Sequence, residues 1–90
     1  MGAECKVNIP SPLRSYTHDA ATVAARGDNV DAILRDLDAR YSGLRFRIID
    51  EQDAIRPHIR IYVNETVASD IGMSVRPGAT LHLICALSGG

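Results

Sequence analysis

The amino-acid sequence predicts an α+β fold in which one main helix packs on one face of a mixed sheet of four to five strands. Three observations carry this expectation. Glu4 to Ile9 and His58 to Asn64 alternate polar and apolar residues with the period of two that a half-buried strand requires. Between them Val30, Ile33, Leu34, Leu37 and Tyr41 recur at helical spacing and form one apolar stripe. The last ten residues, Leu81 to Gly90, read as an apolar strand that runs into a diglycine.

The first strand sets Cys5, Val7 and Ile9 on one face and Glu4, Lys6 and Asn8 on the other. Pro10 and Pro12 end it, because neither can donate to a ladder and Pro12 also restricts Ser11. Ser11 to Asp19 reads as a polar connection anchored by Leu13. A weaker strand follows at Ala21 to Arg26, with Val23 and Ala25 on one side, and completes an N-terminal hairpin.

Gly27-Asp28 opens the helix, expected from about Asn29 to Tyr41, with Asp28 as its cap and Asp31 at the positive end of its dipole. Asp31, Arg35, Asp36, Asp38 and Arg40 face away from the apolar stripe, and Gly43 sits where a left-handed C-cap belongs. Leu44 to Pro57 mixes apolar Leu44, Phe46, Ile48 and Ile49 with Arg45, Arg47 and the run Asp50-Glu51-Gln52-Asp53. It reads as a short helical turn or an irregular crossover ended by Pro57.

The strand from His58 to Asn64 directs Ile59, Ile61 and Val63 inward and Arg60 and Tyr62 outward. Asn64-Glu65 turns the chain into a short edge piece around Val67, and Ile71 and Val75 read as apolar plugs in a loop. Pro77-Gly78 forms a tight turn into the final strand, where Leu81 and Leu83 point inward. If the first and last strands lie side by side in the middle, this order of elements is the β-grasp.

Ninety residues, 46% of them hydrophobic and 23% charged, fit one domain over residues 1–90 and argue against disorder. Ten basic against eleven acidic residues give no pull toward nucleic acid or an anionic membrane. No apolar run approaches the roughly 20 residues that span a bilayer. No basic segment followed by an apolar one suggests a secretory signal, so a cytoplasmic domain is expected. Two cysteines, Cys5 and Cys85, are too few for a disulfide or metal framework, and His18, His58 and His82 lack metal-ligand spacing. A metal site is therefore not expected, and an iron–sulfur ferredoxin of this fold, which needs four cysteines, is excluded. Each cysteine falls on a strand, where a free thiol behaves as a small apolar residue. Asp50, Glu51 and Asp53 read as a solvated loop.

Gly89 and Gly90 have no Cβ, so ordering them costs the most entropy. Taken alone they read as a frayed end. Taken with the opening strand into Ile9-Pro10-Ser11-Pro12-Leu13-Arg14, with Gly27-Asp28, Tyr41-Ser42-Gly43-Leu44-Arg45 and Ile48-Ile49-Asp50-Glu51, they carry more. Arg56-Pro57-His58-Ile59-Arg60-Ile61-Tyr62-Val63-Asn64 and Pro77-Gly78 complete the set. With these pieces in place the chain resembles the ThiS/MoaD family of ubiquitin-like sulfur-carrier proteins over nearly its whole length. Its extended middle crossover is most similar to the branch used in the biosynthesis of cysteine and of sulfur-containing secondary metabolites.

The resemblance implies a carrier rather than an enzyme, with no bound cofactor. An E1-like adenylyltransferase/sulfurtransferase would use ATP to adenylate the Gly90 carboxylate, and a sulfide or persulfide would displace AMP to leave a thiocarboxylate. That sulfur would pass to a sulfur-accepting enzyme making cysteine, molybdopterin, the thiazole of thiamin or a secondary metabolite. Gly89, also without a Cβ, would let the partner's backbone approach the reacting carbon, on a flexible tail of residues 88–90. Arg60, Tyr62, His82 and Ile84 alternate outward on strands expected to be neighbours, and Ile84 with Ala86 and Leu87 leads through Ser88 to the diglycine. This patch is the expected docking surface for the activating enzyme. The competing expectations are a ubiquitin-like modifier joined to a lysine through Gly90, and a β-grasp interaction module with no chemistry at its end.

Overall fold

The computed structural model describes residues 4–86. Its strands are β1 (Glu4–Asn8), β2 (Thr22–Arg26), β3 (Ile59–Val63), β4 (Thr66–Val67) and β5 (Thr80–Cys85), and its helices are α1 (Val30–Arg40) and α2 (Leu44–Ile48). They form one sheet in the order β2-β1-β5-β3-β4. The β1–β5 pair is parallel and the other three are antiparallel. First and last strands are thus central neighbours, as the sequence predicts.

Register explains the core. Val7 pairs with Val23 on one side and Leu81 on the other, and Leu81 pairs with Val63, so four apolar side chains form one row across the sheet. All four are buried, and α1 covers them with Val30, Ile33, Leu34 and Leu37. Tyr41, the last residue of the predicted stripe, is only partly buried. The ambiguous stretch after α1 resolves into the helical turn α2, which adds Leu44 and Ile48 to the core, while Phe46 stays 56% exposed under the Arg56 guanidinium.

Three local expectations are corrected. The helix cap is Asn29, not Asp28. Asn29 is extended (φ −148°, ψ 171°) and its side chain accepts from the Ala32 N–H, whereas the Asp28 carbonyl accepts from Val75 N–H at 2.9 Å. The next two helical donors, Val30 N–H and Asp31 N–H, bond the carbonyls of Met73 and Ile71. The loop read as plugs therefore also completes the start of α1. Gly43 is left-handed as expected (φ 92°), but it caps α2 rather than closing α1. Asp38, read as simply facing away, accepts from the backbone N–H groups of Gly43 and Arg45, both at 3.1 Å. Within the stretch read as a polar connection, Ser11–Thr17 forms a 3-10 helix started by Pro12, whose missing N–H costs nothing in a first turn. It buries Thr17 as well as Leu13, and the Thr17 hydroxyl donates to the Ala20 carbonyl at 2.9 Å.

The acidic stretch after α2 is also more ordered than a solvated loop. Asp50 accepts from the N–H groups of Gln52 and Ala54, which holds its carboxyl below the usual carboxylate range. Arg45 bridges Asp31 at 2.8 Å and Asp53 at 3.3 Å, tying α2 and this loop to α1. Partial burial pushes the Asp31 carboxyl up, but the hydrogen bonds and charges of Arg35 and Arg45 outweigh it and leave the group lowered.

Two outcomes follow from this packing. Leu37→Ala should lower the unfolding free energy by roughly 2–5 kcal/mol in a urea titration, because Leu37 is fully buried beneath the sheet; a loss under about 1 kcal/mol would mean that the site collapses to fill the space. A depressed carboxylate contributes stability above the ordinary value of about 4 and loses it as pH falls through its folded value. The stability difference between the wild type and Asp31→Asn should therefore be largest near neutrality and shrink below about pH 4. A difference that stays constant across that range would assign the effect to packing.

Candidate functional site

The face of the sheet opposite α1 carries a second row in the same register. Thr22 pairs with Asn8, Asn8 with His82, His82 with Tyr62, and Tyr62 with Val67. Beside this row Arg60 pairs with Ile84. The predicted set Arg60, Tyr62, His82 and Ile84 is thus brought together on one face. Tyr62 and His82 are half-buried, Arg60 is exposed and Ile84 is 45% exposed. Arg60 turns back along its own strand, donating through Nη1 to the carbonyls of Pro57 (3.0 Å) and Ile59 (3.2 Å). Ala86, also exposed, donates its N–H to the His58 carbonyl at 2.7 Å. The remaining predicted site residues, Leu87, Ser88, Gly89 and Gly90, lie outside the described residues.

A shallow groove of about 440 Å³ runs along this face, walled by Pro10, Arg14, Tyr62, Asn64, His82 and Ile84, with Asn8 on its floor. Four of these were not predicted as site residues: Asn8, Pro10, Arg14 and Asn64. Asn8 was recognisable as an outward position of β1, since the alternation places it there. Arg14 carried no such signal; it reaches the groove because the 3-10 helix turns back toward Ile9, whose carbonyl accepts from Arg14 Nε at 2.9 Å.

Neither cysteine has thiolate character. Burial, with lesser contributions from Asp36 and Glu4, pushes the Cys5 thiol up, and burial raises Cys85 despite the opposing charge of Arg47. Among the described residues no three His, Cys, Asp or Glu side chains gather as metal ligands, and no helix is long and apolar enough to cross a membrane.

Because Ile84 projects from the sheet opposite Arg60, Ile84→Asp should change stability by no more than about 0.5 kcal/mol, whereas Leu83→Asp should unfold the protein. Thermal melts of the two variants read this directly. Unfolding of Ile84→Asp would place Ile84 in the core.

Comparison with known proteins places this geometry. The model of the ThiS family matches residues 7–90. The sulfur carrier protein CysO of Mycobacterium tuberculosis is 32% identical over 89 residues, covering 93% of this chain and 96% of that protein. The structure of the Amycolatopsis orientalis BexX/CysO complex contains a chain that superposes with a TM-score of 0.88 at 30% identity, over 96% of this chain and 99% of that one. The small archaeal modifier protein 1 of Methanosarcina acetivorans shares the fold, with a TM-score of 0.82 at 20% identity over 100% of this chain and 99% of that one.

Proposed function

The chain belongs to the ThiS family, and from that premise we propose that it is a sulfur carrier whose Gly90 carboxylate is converted to a thiocarboxylate. The observation that carries this reading is the reach of the family match, which runs from β1 through Gly89-Gly90 and so includes both the central strand and the diglycine that follows it. A carboxylate is a poor electrophile, because its charge repels nucleophiles. Adenylation by an E1-like enzyme with ATP forms a mixed anhydride at Gly90 and releases pyrophosphate. Attack by a sulfide or persulfide sulfur on that carbonyl expels AMP. A persulfide donor leaves the thiocarboxylate once its S–S bond is cleaved by a thiol. The ATP belongs to the activating enzyme, and the carrier supplies position.

The fold suits that division of work. Parallel pairing to β1 holds β5 through His82 and antiparallel pairing to β3 holds it through Cys85, so the chain leaves from a strand at the centre of the sheet. The raised thiols of Cys5 and Cys85 make them weak competitors for sulfur chemistry. The Ile84 side of the sheet is the surface on which the activating enzyme would dock, and a sulfur-accepting biosynthetic enzyme would take the thiocarboxylate in turn. The product would be a small sulfur-containing metabolite, with cysteine or a secondary metabolite the class implied by the resemblance of the middle crossover.

Incubated with ATP, the cognate activating enzyme and sulfide, the intact protein should gain the mass of one oxygen replaced by sulfur. Removal of Gly90 should abolish the gain, and Cys5→Ala with Cys85→Ala, in a folded protein, should preserve it. A mass gain that survives loss of Gly90, or that is lost with the cysteines, would move the sulfur to a side chain. An amide-linked adduct to a lysine in place of the thiocarboxylate would favour the modifier alternative.

A further inference from the structure

The groove beside β5 is weighted toward hydrogen-bond donors. The amide oxygens of Asn8 and Asn64 in its wall are each already engaged, and the Tyr62 hydroxyl can donate or accept. Asn8 Oδ1 accepts from the Thr22 hydroxyl at 3.0 Å, and the Asn8 amide nitrogen lies 2.9 Å from His82 Nδ1. In this orientation the amide donates to Nδ1, and the tautomer that accepts it carries its ring proton on Nε2, facing the groove as a donor. Asn64 Oδ1 accepts from the Thr80 N–H at 3.0 Å, leaving the Asn64 amide nitrogen with its two protons. The Tyr62 hydroxyl makes no hydrogen bond to another described residue. Arg14 is half-buried, held in place through Nε, with both η nitrogens free of any carboxylate among the described residues. Elsewhere Arg35, Arg40 and Arg45 each have an aspartate partner. What the groove presents is a guanidinium fork and three neutral donors between the apolar edges of Pro10 and Ile84.

We propose that this groove receives an aspartate or glutamate side chain from the activating enzyme, seated on Arg14 with help from His82, Tyr62 and Asn64, while an adjoining apolar residue of the same segment covers Ile84. The proposal rests on the carrier reading and names the chemistry of its partner. A planar fork matches a carboxylate in two parallel bonds, and such pairs are the strong members of an interface. A lone inorganic anion satisfies the donors but leaves Pro10 and Ile84 uncovered, in a groove of about 440 Å³ that continues into the exposed Ile84 surface. A protein segment satisfies both.

The test is ATP–pyrophosphate exchange by the E1-like enzyme of the same cell, with the full-length carrier as the varied substrate. Arg14→Gln should raise the KM for the carrier by about tenfold or more with kcat within about twofold, and Arg14→Lys should recover part of the loss. The wild-type KM should rise with salt between about 0.1 and 1 M, and that dependence should flatten in Arg14→Gln. Tyr62→Phe, which removes only a hydroxyl that has no partner among the described residues, should raise KM by a smaller factor without changing the melting temperature. Normal exchange with a KM for folded Arg14→Gln within about twofold of wild type overturns this proposal and leaves the carrier reading standing. Absence of any exchange with the wild type overturns both. In the free full-length chain, the Gly89 and Gly90 amide resonances should be identical in wild type and Arg14→Gln; a shift would assign the groove to the chain's own terminal carboxylate and overturn the partner assignment.

Discussion

The parallel pairing of β1 with β5 is the constraint on which the rest of the structure depends. Parallel neighbours cannot be joined by a hairpin, so most of the chain between them becomes one long crossover that carries β2, both helices, β3 and β4. The same pairing builds both faces at once. Val7 beside Leu81 centres the buried row, and Asn8 beside His82 centres the half-buried row on the opposite face. Because side chains alternate with a period of two, a slip of one residue in β5 would drive His82 and Ile84 into the core and expel Leu81 and Leu83. Burying one leucine side chain is worth roughly 1.5–3 kcal/mol. The register that holds the core together therefore also fixes the candidate site, and neither can drift alone.

The crossover is itself held to α1 by a chain of polar contacts that ends at the base of the tail. Arg45 joins α2 to Asp31 and Asp53. At the end of α2 the Ile48 carbonyl accepts from Arg56 N–H, while Arg56 Nε returns to the Phe46 carbonyl at 2.7 Å. These bonds set where Arg56-Pro57-His58 turns into β3, and the His58 carbonyl then receives the N–H of Ala86. A surface ion pair on its own contributes little. Here Arg45 is only 17% exposed and meets two carboxylates, and its effect is positional: it ties α2 and the Asp53 loop to α1 ahead of the turn into β3.

What was legible in the sequence was whatever depends on periodicity. The strands, the α1 stripe, the Pro77-Gly78 turn and the common face of Arg60, Tyr62, His82 and Ile84 all follow from alternation, helical spacing or local backbone preference. What was not legible depends on contacts between distant parts of the chain. Asp28 and Asn29 are equally good caps by type. The choice falls on Asn29 because Asp28 pairs with the Val75 loop and because Gly27 lies so close to α1 that a Cβ there would come within 2.8 Å of Ala32 Cβ. The bond between Asn8 and His82 spans 74 residues. Arg14 enters the groove only because two prolines, read as strand breakers, also permit a 3-10 turn that swings the side chain back over Ile9. Periodicity records which face a residue occupies; it does not record which residues beyond the strands lean over that face.

A groove weighted toward donors would discriminate chiefly by exclusion. In the free protein Arg14, His82, Tyr62 and Asn64 keep contact with water, so their unused protons cost little. Any protein that covers Ile84 must remove that water. A partner with a carboxylate in the right place restores the lost hydrogen bonds and pairs the guanidinium. A partner with an apolar or basic residue there leaves several donors buried and unsatisfied, at about 1–3 kcal/mol each, together with an unpaired charge. Apolar contact at Ile84 would supply affinity that many surfaces could match; the donors beside it would decide which of those surfaces is allowed to use it. A sulfur carrier has to be recognised by its activating enzyme and ignored by other proteins that present apolar patches. On the proposed reading, the row from Thr22 to Tyr62, with Asn64 and Arg14 at its edges, would impose that distinction with no residue taken from the core.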